Sequence, residues 1–237
     1  MKESARLPAL ALALAALAVG AAAAPHPKEP RHAEYAVRWN PAQGGLKTAA
    51  DVLAFLGGPG TGGQGAQVQF YDLPAPEGAP RETTVILRRR DGEGGESEIR
   101  LKYRSPRPLT VAWACPAGIG FEPSTQVDVG FGTAPTPSRV YSYSCRLRAA
   151  QPPALLGATA RPCASRMVRY ETGPPGRGGY KVEAWTLPGG AVTLEISRTA
   201  ANSPDELARF SELVARLRAR GVRPLDDSKT ELGGKCP

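Results

Sequence analysis

Nine short runs of β-forming residues, most of them closed off by glycine or proline, set the fold class of this chain. They cover residues 34–39, 67–71, 83–90, 98–104, 126–131, 139–148, 166–171, 180–187 and 192–198. Turn signals such as Asp91-Gly92 and Leu187-Pro188-Gly189-Gly190 separate them. Short strands joined by such turns predict an antiparallel sheet or barrel. Two helical patterns interrupt the strands. Residues 48–56 start at Thr48 and stop at Gly57-Gly58. Residues 203–220 start with Ser203 as cap and Pro204 in the first turn, and Glu206 stands where a capping box needs it. Leu207, Phe210, Val214 and Leu217 recur at helical spacing and predict a buried stripe. Arg216, Arg218 and Arg220 lie near the negative end of the helix dipole, and Gly221 closes it. The expected class is mainly β with α (α+β): a closed or nearly closed antiparallel barrel or tunnel with a C-terminal amphipathic helix.

Residues 1–24 read as a cleavable secretory signal. Lys2 and Arg6 are its positive region, Leu7 to Val19 its apolar run, and Ala21 to Ala24 the small residues before cleavage. The apolar run is short for a bilayer span of roughly 20 residues, and Pro8 and Gly20 break it. The cleavage point among Ala21 to Ala24 is open. Residues 25–33 read as a polar leader, and 34–237 as one domain. The expected setting is secretion or the periplasm, with no membrane span after cleavage. The chain's formal net charge is +8; the signal holds Lys2, Arg6 and Glu3, so +7 remains. That charge suits an anionic partner.

All four cysteines, Cys115, Cys145, Cys163 and Cys236, follow the signal. An even number in an oxidising compartment predicts two disulfides. Three pairings are open, and Cys115 with Cys145 and Cys163 with Cys236 is the favoured one. The only histidines, His26 and His32, lie in the leader, which argues against a zinc site or a histidine-based triad. Residues 57–65 contain Gly58, Gly60 and Gly63 in a G-x-G-x-x-G match. The match follows a helix, and no G-K-[ST] comes after it, so the stretch reads as a linker.

Alternate residues of a strand share a face. Glu98, Arg100, Lys102 and Arg104 fall on one side of their strand, with Ile99, Leu101 and Tyr103 opposite. Arg88 and Arg90 share a face, as do Glu34, Ala36 and Arg38, and Thr193, Glu195 and Ser197. Such faces either meet water on a half-buried sheet or turn inward to line a charged channel. In a channel, arginine and lysine would grip phosphate oxygens. The charged faces lack interleaved aromatic rings, which disfavours nucleic acid as a partner.

The order of these motifs resembles the CYTH-like superfamily, the triphosphate tunnel enzymes, over about residues 34–231. Glu34-Tyr-Ala-Val-Arg38 stands at the place of that family's Glu-x-Glu-x-Lys strand. Gln69-Phe-Tyr-Asp72-Leu-Pro74 is similar to its Tyr-Phe-Asp-Thr-Pro segment. Ile86-Leu-Arg88-Arg-Arg90 and Glu98-Ile-Arg-Leu-Lys102 look like its basic strand pair. Leu194-Glu195-Ile-Ser197 looks like its later acidic strand, and Asp227-Ser228-Lys229 like its closing Ser-Lys element. The resemblance implies a tunnel of about eight strands that binds a small phosphorylated anion. It implies phosphate contacts from Arg38, Arg88, Arg90, Lys102 and Lys229, with Arg100 on the same face. It also implies Mg²⁺ or Mn²⁺ on Glu34 and Glu195, and hydrolysis of a triphosphate. Ala36 and Ser197 depart from the pattern where further carboxylates are expected; Asp128 and Glu183 are the residues that would compensate. Three functions follow: a metal-dependent triphosphatase, a non-catalytic binder of phosphorylated or polyphosphate-type anions, or an envelope or secreted structural protein.

Overall fold

The computed structural model describes residues 29–58, 60–74, 81–108, 115, 120–148, 156–173 and 179–237. The signal segment 1–24 and His26 lie outside the described residues. Each of the nine β runs forms a strand: β1 (His32–Trp39), β2 (Thr61–Asp72), β3 (Thr84–Gly92), β4 (Ser97–Ser105), β5 (Gly120–Phe131), β6 (Ser138–Leu147), β7 (Thr159–Glu171), β8 (Lys181–Thr186) and β9 (Val192–Ala201). They close a barrel in the order β1-β5-β6-β4-β3-β2-β7-β8-β9, with β9 returning to β1. All pairs are antiparallel except β1 with β5, so the barrel has nine strands and one parallel seam.

Among the described residues three α-helices accompany the barrel: α1 (Ala49–Phe55), α2 (Pro204–Ala219) and α3 (Lys229–Gly233). Thr48 caps α1 in a full capping box with Asp51. Ser203 caps α2 by accepting from the Glu206 amide. The box expected there does not close, because the Glu206 carboxylate turns to Arg198 and Arg209 instead. A box forms at Ser228 and Glu231, at the start of α3. The glycine-rich stretch is not a linker throughout, since β2 begins at Thr61. Gly62 and Gly63 have φ of 115° and 86° beside a shift in the register with β7. Side chains rarely adopt that backbone, so glycine permits the irregularity.

The main core lies outside the barrel wall. Ala33, Tyr35, Val37 and Trp39 of β1 pack with Val127, Val129, Leu194 and Ile196 against Phe210, Leu213, Val214 and Leu217 of α2. The helical stripe is therefore buried as its spacing requires, and Leu213 joins it. Polar tips in this layer are satisfied: Tyr35 Oη donates to the Ala201 carbonyl at 2.9 Å and Trp39 Nε1 to the Leu46 carbonyl at 3.0 Å. With the outward faces apolar and covered, the alternate charged residues face the lumen.

Cys163 and Cys236 form a disulfide that ties the C-terminal segment to β7. The expected bond between Cys115 and Cys145 is absent; both are free thiols. Cys145 is fully buried, and burial above all pushes its thiol far up. Disulfide exchange needs a thiolate, which that environment suppresses. The Cys115 sulfur instead lies 3.7 Å from the Tyr143 hydroxyl.

Candidate functional site

The lumen holds two adjoining cavities that meet at Glu34, Ile86, Arg104 and Thr230. One, of about 270 Å³, is lined by Arg88, Arg90, Arg100, Lys102, Arg146, Arg169, Lys181 and Lys229. The other, of about 410 Å³, is lined by Ala36, Arg38, Asp128, Val140 and Leu225 among others. A third part of the interior is filled by Ala66, Val68, Phe70, Ile86, Met167 and Trp185. Five residues expected to contact phosphate thus share one basic cavity: Arg88, Arg90, Arg100, Lys102 and Lys229. Arg38 lies in the neighbouring one.

The carboxylates of the lumen are engaged by the chain's own cations. Glu195 is fully buried; Arg38 Nε approaches it to 2.5 Å and Lys229 Nζ donates to it at 2.7 Å. The Arg38 contact is ionic and off the hydrogen-bond angle. Glu183, also buried, accepts from Arg169 Nη2 at 2.6 Å, Lys229 Nζ at 2.9 Å and Trp185 Nε1 at 3.0 Å. Burial opposes its ionisation, but Lys229, Arg169 and Arg90 outweigh that and hold its pKa well below the usual range. Asp128 accepts from Arg104 Nε at 2.8 Å, Gln126 Nε2 at 2.7 Å and Ser142 Oγ at 3.2 Å, and Lys102 Nζ lies 2.8 Å away. Glu34 accepts from Gln126 at 3.1 Å, with Lys102 at 4.0 Å. Against its burial, Lys102, Lys229 and Lys181 hold it ionised far below the ordinary value.

Two arginines of the basic cavity are left over. Among the described residues Arg88 makes no ion pair and no hydrogen bond from its side chain. Burial lowers its pKa, Glu183 opposes that, and Arg100 adds to it. Arg90 buries Nε and Nη2 with no hydrogen-bond partner. Burial, then Arg88 and Arg169, push its pKa down to about 9. Lys102, though paired with Asp128, is pushed down to about 8 by burial and by Arg104. An unpaired buried charge costs several kcal/mol, on the order of 3–5 when a partner is missing. A guanidinium holds its proton, so the relief open to Arg88 and Arg90 is an anion in the cavity.

The expected Mg²⁺ or Mn²⁺ site does not assemble. Glu34, Glu195, Asp128 and Glu183 each face a lysine or arginine of the same chain. Ser197, at the place of a lost carboxylate, offers one buried hydroxyl without a hydrogen-bond partner. Among the described residues no three His, Cys, Asp or Glu side chains group as metal ligands. A hard divalent ion needs charged oxygens that are free to bind it, so these residues do not fit one.

Arg146, Arg169 and Lys181 were not singled out from the sequence. Each sits on the inward face of a stretch read as strand, and the alternation rule would have found them: Arg146 two places from Ser144, Arg169 two from Met167, Lys181 two from Glu183.

The sequence matches no protein-family model and no curated protein. Solved structures do match it. The PH1819 protein of Pyrococcus horikoshii OT3 aligns over 84% of this chain and 97% of that one, with a TM-score of 0.50 and 13% identity. The PH1012 protein of the same organism aligns over 84% and 98%, at 0.48 and 14%. HpAC1 from Hippeastrum, described as having a dominant triphosphatase activity, aligns over 84% and 92%, at 0.46 and 14%. At such identities the likeness is one of fold.

Proposed function

We propose that this chain, whose motif order resembles the CYTH-like triphosphate tunnel superfamily and whose nine strands close a barrel, is an exported binder of small phosphorylated or polyphosphate-type anions. The observation that carries the reading is the pair Arg88 and Arg90 in a basic cavity: Arg90 buries Nε and Nη2 without a hydrogen-bond partner, and half-buried Arg88 makes no ion pair or hydrogen bond among the described residues. A polyphosphate would give them charge-assisted, bidentate hydrogen bonds. Arg100, Lys102, Arg169 and Lys229 stand round the same cavity. The carboxylates of the lumen neutralise neighbouring cations, so no hydrolytic step is assigned to them. The export half of the reading is supported by the signal pattern of residues 1–24 and by the disulfide, which persists in oxidising compartments.

Calorimetry with inorganic tripolyphosphate tests the binding. The wild type is expected to bind with an affinity that falls as salt rises. Arg88→Ala and Arg90→Ala should each weaken binding by roughly tenfold or more. Their melting temperatures should hold or rise, because an unpaired buried charge is removed. Full affinity in the double variant would refute the reading. Phosphate release from tripolyphosphate with Mg²⁺ or Mn²⁺ should stay at the blank level. Terminal sequencing of the protein from medium or envelope fractions should begin within or just after residues 21–24; an unprocessed cytoplasmic product would overturn export.

A further inference from the structure

The cation balance around Glu183 and Glu195 leads beyond anion binding. The two glutamates are direct cross-strand partners on β8 and β9, and both are buried. One ammonium, Lys229 Nζ, sits between them at 2.9 and 2.7 Å. Arg169 and Arg38 close the outer sides of the pair. Two negative charges thus face three positive ones. A divalent cation added there would enter a buried site that is already net positive, which low dielectric penalises heavily.

Lys229 does not reach this place by chance of a loose tail. It is the first residue of α3, whose start is fixed by the Ser228–Glu231 capping box. The far end is fixed by Ser165 Oγ donating to the Gly233 carbonyl at 3.0 Å and Arg161 to the Gly234 carbonyl at 2.8 Å. The Cys163–Cys236 bond holds the residues beyond. The Trp185 ring flanks the ammonium at 5.9 Å, an attractive arrangement for a cation.

We propose that Lys229 is the resident cation of this tunnel: its ammonium stands between Glu183 and Glu195 where a divalent metal would otherwise be drawn, and the chain takes no metal there. The proposal concerns the empty protein and does not depend on which anion the basic cavity binds.

Mn²⁺ alone, titrated into the full chain and followed by electron paramagnetic resonance, tests it. The wild type should show no saturable binding at this pair. Lys229→Ala should gain one Mn²⁺ with an affinity at least about tenfold above the wild type, and adding Glu195→Gln should remove it. The proposal is overturned if the wild type binds one Mn²⁺ that Glu195→Gln abolishes. It is equally overturned if folded Lys229→Ala binds no better than the wild type. Lys229→Met, which keeps the aliphatic stem, replaces Lys229→Ala if the latter fails to fold, and the wild-type titration decides on its own if both fail.

Discussion

Ala36 and Ser197 are direct cross-strand partners, facing each other across the seam between β1 and β9. In the sequence they are two separate departures from the tunnel pattern, 161 places apart by number. In the barrel they are one place in the wall. Two carboxylates expected at adjacent points of the lumen are replaced together by a methyl group and a hydroxyl. Their neighbours in the same two strands, Arg38 and Glu195, are also partners and form an ion pair. The local charge is thereby settled within the chain.

This pairing yields a gain-of-function prediction. Ala36→Glu combined with Ser197→Glu restores two adjacent carboxylates, with Lys181 opposite Ser197 on β8. The double variant should bind Mn²⁺ more tightly than the wild type by roughly tenfold, read by paramagnetic resonance. An unchanged spectrum would mean that the missing carboxylates do not set the metal preference.

The disulfide anchors the segment that delivers Lys229. It closes a loop with a sequence separation of 73, for which the chain-entropy relation gives about 4 kcal/mol. Reduction, or Cys163→Ala with Cys236→Ala, should lower stability by about that amount in denaturant unfolding. It should also weaken tripolyphosphate binding, since Lys229 lines the basic cavity. A reduced protein with unchanged midpoint and affinity would contradict the anchoring role.

Anion affinity should fall with rising pH. Burial and Arg104 push Lys102 down to about 8 in the empty cavity. Below that pH the ammonium is charged and ready for an anion. Above it the free protein loses the proton, and binding must recover it. Calorimetry between pH 7 and 10 should therefore show affinity declining through about 8, with proton uptake on binding. Lys102→Met should flatten the decline.

Acid should act in the other direction. Glu98 is lowered to about 2: burial raises it, and Arg100 and Arg88 more than compensate. Glu183 and Asp128 are lowered too, each by cations that outweigh its burial. A carboxylate whose folded pKa is depressed stabilises the fold fully above its ordinary value near 4.5, and that contribution is lost as pH falls through the folded value. Denaturant midpoints should be level above about pH 5 and fall steadily towards pH 2. Glu98→Gln should start lower and fall less steeply.

The strands and the two longer helices were legible because their signals are local. Alternation at period two and glycine or proline at the turns mark β4 and β6 within a residue of their ends, and β3 within two. β2 and β7 run past their apolar stretches, into glycines at one end of β2 and polar residues in β7, so their extents were missed. All nine strands were read as runs, one more than the resemblance implied, but the parallel seam between β1 and β5 was hidden, since strand pairing is a non-local choice. The split fate of the cysteines was hidden as well. Cys163 meets Cys236 because α3 returns to β7, while Cys145 is sealed as a thiol in the outer apolar layer.

The sequence by itself determined which residues share a face and that one face is charged. Backbone geometry alone enforces that, through the pleat of the strand and the pitch of the helix. Tertiary structure decided which face turns inward. Covering the outer faces of β1, β5 and β9 with α2 left Glu34, Arg38, Asp128 and Glu195 no direction but the lumen. It also decided which charges neutralise one another and which are left over. Closure of the barrel and the docking of α3 put Lys229 between Glu183 and Glu195, while Arg88 was left without an ion pair and Arg90 with buried nitrogens that lack a hydrogen-bond partner. Coulomb energy depends on distance in space, and only the folded chain sets those distances.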